Sequence, residues 1–534
     1  MISFIDNKNT FLVFLIIFIL ILNIPSTGAN IDELENDFKN NICEDLNIKS
    51  IGNSLDVQFI YNITAKLSNI IFDEYDEENG EIAKGRAYGT KGEHKAAEIL
   101  YENMTKLGLY TKKEQIENTD QYPDLTHELE IKDYFVKINN RKIDSYIAPV
   151  WIENSENNYN VNHIYNYSNL KIIEPPIIPG LYIKWQRFLG KLEPFVVIIK
   201  DKAFYPYSPL KKLPFTDNFI FDYYVIRQLQ GGVPVLYSYL WDNYLDYCKG
   251  VILYDFNKEV HDMNLLKKFN HVPFIYINGS DGEQILNNIE DSRIDFRLKQ
   301  QMNTSVISYN VIGQLNGSDE SCTVIVDCLY DSWWCQGTAD SAIGMAMVLA
   351  IAKYYTENNL TPKYTMKFIG FSGEEHGFNA GSKYYESSHK DENIKYVIDL
   401  NQLGFKQEDP KLSLNIIGNR IGFLNRIIKL TKEIDYNSRV NCSDGVKYLY
   451  LKNGGPGNAL IFAKNRDDCK TVCFLKDGRW KMHHRDGLNH TEGDVLKYFD
   501  WTDVNVTGEI VLSVTKYLTL DEFRNTEKKG EHIR

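Results

Sequence analysis

The sequence predicts an α/β protein, a three-layer domain into which a separate β-rich module is inserted. Three observations predict it. Helix-patterned and strand-patterned stretches alternate from Ser308 to Leu518, as a layered α/β domain requires. From about Tyr134 to Leu298 the texture changes to short aromatic and β-branched runs broken by Asn, Pro and Gly. Between Gly337 and Ser382 lie, in order, an aspartate on a loop, a buried-type helix, a strand and two adjacent glutamates at the strand end.

Residues 1–29 resemble a secretory signal. Lys8 precedes the apolar run Phe11 to Leu22, and Ser26-Thr27-Gly28-Ala29 offers small residues for cleavage. The run is short against the ~20 residues of a bilayer span, with an uncleaved anchor as the alternative. Residues 30–133 are assigned to the N-terminal part of the main domain. Ile31 to Asp76 reads as helical and acidic, an outer layer. Arg86 to Tyr110 reads as a Gly-bearing turn leading into an amphipathic helix with Ala96, Ala97, Leu100, Met104 and Leu107 on one face.

Residues 134–298 form the inserted module, with strands at Gly250 to Tyr254 and Val272 to Ile277 and a helix at Ser280 to Ile289. Residues 299–520 return to the main domain. Ser308 to Leu315 and Thr323 to Tyr330 read as neighbouring strands. Ser341 to Tyr355, with Ile343, Met347, Leu349 and Ile351 among alanines, reads as a buried helix. Met366 to Phe371 is an inner strand, and Lys395 to Leu400 another that ends at Asn401. Ser443 to Phe462 reads as a helix, a Gly-Pro turn and a strand, and Trp501 to Leu518 as a closing helix. Residues 521–534 are a polar tail.

The chain has 534 residues, 43% hydrophobic and 25% charged, ordinary for a globular protein of two or three domains. Its net charge of −13 argues against nucleic acid or an anionic membrane as the main partner. Eight cysteines in an exported chain predict disulfides, with Cys469 and Cys473 near enough in sequence to form one. Sequons such as Asn62, Asn103 and Asn166 add to the expectation of a secreted glycoprotein.

Asp340 precedes a helix, and Glu374 and Glu375 follow a strand, so all three belong at the carboxyl edge of the sheet, where α/β sites are built. Three carboxylates there repel one another and call for a cation or a proton. One reading makes Asp340 a helix cap and the glutamates a solvated loop. The other is a zinc site with a general base, and His490, in Leu488-Asn489-His490-Thr491-Glu492-Gly493-Asp494, adds to it. His483 and His484 read as supporting groups or solvated loop residues, and Trp333 and Trp334 as a pocket wall or as packing.

Taken together, Tyr88-Gly89-Thr90-Lys91-Gly92, SYNVIGQLNGS, TADSAIG, GEEHG, SDGVKY…GGPGNALIF and NHTEGD resemble the M28 family of zinc aminopeptidases with an inserted protease-associated-like module, over most of residues 80–520. The resemblance implies a zinc-exopeptidase-like domain with a mixed central sheet and a peptide or protein substrate. It assigns Glu374 as catalytic base and Asp340, Glu375 and His490 as zinc ligands. Two family ligands are replaced: the first histidine by Leu329 and the later aspartate by Asn401. Asp331, which in the family orients that first histidine, is thereby left with an open catalytic role. Both losses fall on one metal, so the resemblance implies a single zinc (Zn2+) per chain, with Cys328 and Cys335 as the thiols that threaten this count by standing in the same region. The implied function is a secreted aminopeptidase. A single-zinc glutaminyl-cyclase-like aminoacyltransferase and an inactive receptor or scaffold stand as alternatives.

Overall fold

The computed structural model describes residues 55–70, 85–148, 163–174, 186, 189–191, 193–200, 247–255, 273–332, 335–375, 379–405, 414–432, 434, 445–452, 457–476 and 494–520. The expected signal segment and C-terminal tail lie outside them, as do Trp333, Trp334, His483, His484 and His490. No helix among the described residues is long and apolar enough to cross a membrane.

Two eight-stranded sheets carry the described residues. With strands numbered along the chain, the first has the order β1 (Tyr110–Gln115), β10 (Tyr309–Leu315), β12 (Tyr364–Phe371), β11 (Asp319–Leu329), β13 (Ile394–Asn401), β16 (Lys470–Lys476), β14 (Leu414–Gly418) and β15 (Val446–Tyr450). It is mixed. β12, β11, β13 and β16 run parallel, while β10 joins β12, and β14 joins β16, antiparallel. The second sheet has the order β3 (Arg141–Lys142), β2 (Glu128–Ile138), β9 (Arg293–Asn303), β5 (His163–Ile173), β6 (Phe195–Lys200), β7 (Cys248–Asp255), β8 (Phe274–Asn278) and β4 (Ser145–Ala148). Its entering and leaving strands, β2 and β9, pair antiparallel along most of their length.

The helices sandwich the first sheet. α1 (Val57–Ser68), α2 (Lys91–Lys106), α4 (Ile343–Glu357), α6 (Ile421–Lys432) and α8 (Trp501–Thr519) share one core with Val324, Val326 and Cys328 of β11. α5 (Ala380–Ser388) and α7 (Ala459–Asn465) pack Tyr385 and Phe462 against Ile325, Ile369 and Val397 on the other face. This is the three-layer α/β arrangement, and it follows from strands apolar on both sides. α3 (Gly279–Asn287), where a helix was expected, packs Ile285 against β7 and β8 of the second sheet. α4 is buried nearly all round, between strands β11, β12 and β13 and the helix α1.

Two expectations are corrected. In Ser443 to Phe462 the strand comes first and the helix second. Val446–Tyr450 is a short run of β-formers and pairs with β14, and α7 begins only at Ala459. The cysteines described, Cys248, Cys322, Cys328, Cys335, Cys469 and Cys473, are all free thiols. Cys469 and Cys473 are separated by an extended stretch, and four residues of strand span about 13 Å. A disulfide tolerates at most ~7 Å between Cα atoms. Sequence proximity in a strand is therefore the wrong geometry for a bridge.

Asp327 of β11 and Asp399 of β13 are cross-strand neighbours, and both are fully buried. Burial pushes Asp399 up to about 7, against the amide of Ala459, which donates to its Oδ2 at 3.0 Å. Burial and then the charge of Asp399 push Asp327 well above its ordinary 3.8. Both carboxyls thus hold protons more tightly folded than unfolded. Their contribution to stability is full below about pH 4 and is lost as pH rises through about 7. Asp327→Asn is expected to remove much of that loss, on the order of a few kcal/mol. Thermal melts of parent and variant at pH 5 and pH 8 measure it, and identical pH dependence in the two would contradict it.

Candidate metal and catalytic site

Leu329, the last residue of β11, lies opposite Phe371, the last of β12. The chain therefore leaves both strands at one edge of the sheet, and Asp331 comes beside the Glu374–Glu375 pair. Gly373 makes the turn with φ +71, and a Cβ there would meet the Tyr88 ring at 2.8 Å. Asp331 is fully buried. Its Oδ1 accepts the backbone N–H of Glu374 at 3.2 Å and its Oδ2 that of Glu375 at 3.1 Å. The open role of Asp331 is thereby filled structurally: it clamps the loop that carries both glutamates. Within that clamp Glu375 is 8% exposed, while Glu374 is half-buried.

Asp340 sits in a kinked turn, Thr338–Ala342, that runs into α4, and is 2% exposed. A second carboxylate holds this turn. Asp494 accepts the N–H of Ala339 on Oδ1 at 2.7 Å and that of Asp340 on Oδ2 at 3.1 Å. From the end of β13, Gln402 donates its side-chain amide to Asp340 Oδ2 at 3.2 Å. The segment between Asp331 and Asp340 is held by Arg86, which is fully buried. Its guanidinium donates to the carbonyls of Tyr330 (2.8 Å), Leu67 (3.1 Å) and Gly337 (2.9 Å). Glu93 of α2 accepts the hydroxyls of Tyr330, next to Asp331, and of Ser308.

Negative charge dominates this neighbourhood. Asp331, Asp340, Glu375 and Asp494 are all buried, and Arg86 directs the hydrogen bonds named above to carbonyls. Burial, with the charge of Glu375, pushes Asp331 up to about 8. Burial also pushes Asp494 up to about 7, and the charge of Asp340 adds to it. Such an excess of buried carboxylate fits a bound cation. Two carboxylates and a histidine are donors that suit zinc. Asp340 and Glu375 are the two carboxylates expected for that role, and the expected third donor, His490, lies outside the described residues. Among the described residues no three His, Cys, Asp or Glu side chains form a metal-binding group.

The two replaced positions are both interior. Leu329 is fully buried, and Asn401 is 4% exposed with its Oδ1 lacking a hydrogen-bond partner. Cys328 and Cys335 are buried as well, and burial holds both thiols well above their ordinary range. Sequence reasoning missed Arg86 and Gln402 and gave Asp494 no role. Asp494 stood in the quoted NHTEGD segment and could have been noticed there. Nothing local marks Arg86 or Gln402, because most of their partners lie far along the chain.

The helix-flanked mixed sheet is the fold seen in solved zinc aminopeptidases. Residues 310–515 match the family model described as Peptidase family M28. Among solved structures, a zinc aminopeptidase from Bacillus subtilis is similar with a TM-score of 0.57 and 18% identity, over 88% of this chain and 96% of that one. The peptidase M28 precursor from Shewanella amazonensis gives a TM-score of 0.55 and 15% identity, over 86% of this chain and 92% of that one. At such identities the likeness is one of fold. No curated protein sequence matches.

Arg86→Met should destabilise the fold by about 3 kcal/mol or more, because it strands several buried carbonyls. Urea unfolding measures this. A variant with the parent's midpoint would show that the segment from Tyr330 to Gly337 does not depend on the guanidinium.

Proposed function

We propose that this chain is an M28-type zinc peptidase acting as an aminopeptidase, with one zinc held by Asp340, Glu375 and His490 and with Glu374 as general base. The observation that carries this reading is the Asp331 clamp. It presents two adjacent glutamates differently, burying Glu375 as a ligand should be and leaving Glu374 with access to solvent and substrate. When bound, zinc would supply Lewis-acid polarisation of the scissile carbonyl and acidify a water. Glu374 takes a proton from the attacking water and returns it to the departing amine. Asp331 binds no substrate in this scheme. Its two accepted N–H bonds fix the backbone from which Glu374 reaches, so it is a positioning residue. Asp494 and Arg86 do the same for the Asp340 turn. Leu329 offers no lone pair, and a neutral amide such as Asn401 is a poor zinc ligand, which supports one ion rather than two. Secretion, with cleavage near Ala29, belongs to the same proposal and rests on the sequence of residues 1–29.

Glu374→Gln is expected to keep zinc and fold while lowering turnover on the order of 10²-fold or more. The test is steady-state hydrolysis of aminoacyl substrates beside metal analysis of both proteins. Undiminished turnover in the variant would remove Glu374 as base. A parent that cyclises amino-terminal glutamine and leaves aminoacyl bonds intact would replace the peptidase with a cyclase. A parent inert to both, with zinc bound, would make the chain a non-catalytic relative.

A further inference from the structure

Thr90-Lys91-Gly92-Glu93 opens α2 with the spacing of a capping box, in which the carboxylate of the last residue reaches back to the N–H of the first. Half of that box forms: Thr90 Oγ1 accepts the N–H of Glu93 at 3.3 Å. The other half does not. The N–H of Thr90 goes instead to the carbonyl of Ala87 at 3.1 Å, and the Glu93 side chain turns inward and is fully buried. Its Oε1 accepts the hydroxyl of Ser308 at 3.0 Å and that of Tyr330. The hydroxyl of Ser372 acts on the same carboxyl. Tyr330 and Ser372 each stand one residue past the end of a strand, β11 and β12 respectively. Asp331 follows the first, and Gly373, Glu374 and Glu375 follow the second. One side chain of α2 thus meets both strand ends where the clamp and the clamped glutamates leave the sheet.

We infer that Glu93 is a positioning residue: it anchors the ends of β11 and β12 from behind and so holds the loop that presents Glu374. This rests on the reading of Glu374 as general base proposed above. A carboxyl group taken out of water is costly. Burial pushes that of Glu93 up, while the Tyr330 hydroxyl, His94 and the Ser308 hydroxyl pull it down. A leucine would fill the same space without that cost. What the carboxyl adds is an acceptor for hydroxyls carried on separate elements. Tyr330 shows the effect. Its hydroxyl also donates to the carbonyl of Tyr309 in β10 at 2.6 Å, and its N–H donates to the carbonyl of Phe371, the last residue of β12, at 3.0 Å. Fixed at side chain and backbone, it sets the next residue, Asp331, where its two oxygens meet the N–H groups of Glu374 and Glu375. The short segment from Arg86 to Glu93 therefore braces the site at three places. Arg86 holds the carbonyls of Tyr330 and Gly337, the Tyr88 ring backs the Gly373 turn, and Glu93 ties the strand ends. A displacement of ~1 Å in a reacting group can cost on the order of 10²-fold in rate, so bracing of this kind bears on turnover.

Hydrogen exchange read by mass spectrometry on the full chain tests this. It follows a peptide that contains the Glu374 and Glu375 amides, with a peptide of α8 as reference, and needs neither substrate nor zinc. Glu93→Leu and Tyr330→Phe should speed exchange in the first peptide about 3–10-fold and leave the second unchanged. Glu93→Gln keeps an oxygen for both hydroxyls and should stay within about twofold of the parent. If Glu93→Leu does not fold, Tyr330→Phe, which loses a single hydroxyl, decides the matter. On aminoacyl substrates the two loosened variants should lose about tenfold in kcat with KM within about twofold, and Glu93→Gln should restore kcat. Exchange at the parent's rate in both Glu93→Leu and Tyr330→Phe overturns the inference, whatever the activity. So does faster exchange with undiminished turnover, or a Glu93→Gln variant as loose as Glu93→Leu. A parent that hydrolyses no aminoacyl bond while exchange responds as expected overturns the peptidase reading alone and leaves Glu93 the anchor of this loop.

Discussion

A carboxylate taken out of water must be met by hydrogen-bond donors or by a cation. The edge where β11, β12 and β13 end buries Asp331, Asp340 and Glu375, with Asp494 brought in from later in the chain. The local structure of every segment at this edge answers that demand. Asp331 takes two backbone amides from the Glu374–Glu375 turn, and Asp494 takes two from the Asp340 turn. In each case one carboxylate orders the backbone that carries another. The acidic groups therefore order the backbone of this edge.

Holding such a constellation has a conformational cost. Gln402 and Gly373 both lie in the left-handed region, and such a conformation for a residue other than glycine costs about 1–3 kcal/mol. The cost is offset by fixing those turns to interior elements. Lys476 illustrates how. It donates its backbone N–H to Gln402, its Nζ to the carbonyl of Phe405 at 2.9 Å, and pairs with Asp503 of α8 at 2.7 Å. The closing helix is thus joined through one lysine to the turn that contacts Asp340. Rigid support of this kind is what a catalytic geometry needs, since the reacting groups must be positioned before the substrate arrives.

The Asp327–Asp399 pair answers the same demand differently. It lies within the strands, beside the start of α7. The amides of Ala459 and Asn458 reach Asp399, and burial keeps both carboxyls inclined to hold a proton. Burial pushes the acids of both sets up, Asp331 and Asp494 at the edge as well as Asp327 and Asp399 inside the sheet, so the two sets differ in the hydrogen-bond donors around them. The difference is access: the edge is built of turns whose N–H groups are unused by the ladder, whereas inside the sheet those groups are already paired.

Much of the architecture was legible in the sequence because its signals are local. The apolar runs of β11, β12 and β13, and the alanine-rich α4, bury whatever lies on either side of them, so pattern alone defined these elements. The order of Asp340, a helix, a strand and Glu374–Glu375 placed three carboxylates at the sheet edge before any coordinates. Local reasoning failed where pairing decides the outcome. Val446–Tyr450 is a strand because β14 lies beside it, and Cys469 and Cys473 stay thiols because the strand between them holds them apart. It failed again for Arg86 and Gln402, whose sequences carry no mark of their role. Arg86 acts on carbonyls about 250 residues onward and Gln402 on a carboxylate 62 residues back. The sequence determined which chemical groups this protein has and on which elements they ride. Only the tertiary structure decided which groups meet, because hydrogen bonds and buried charges are satisfied by neighbours in space, and these neighbours are distant in the chain.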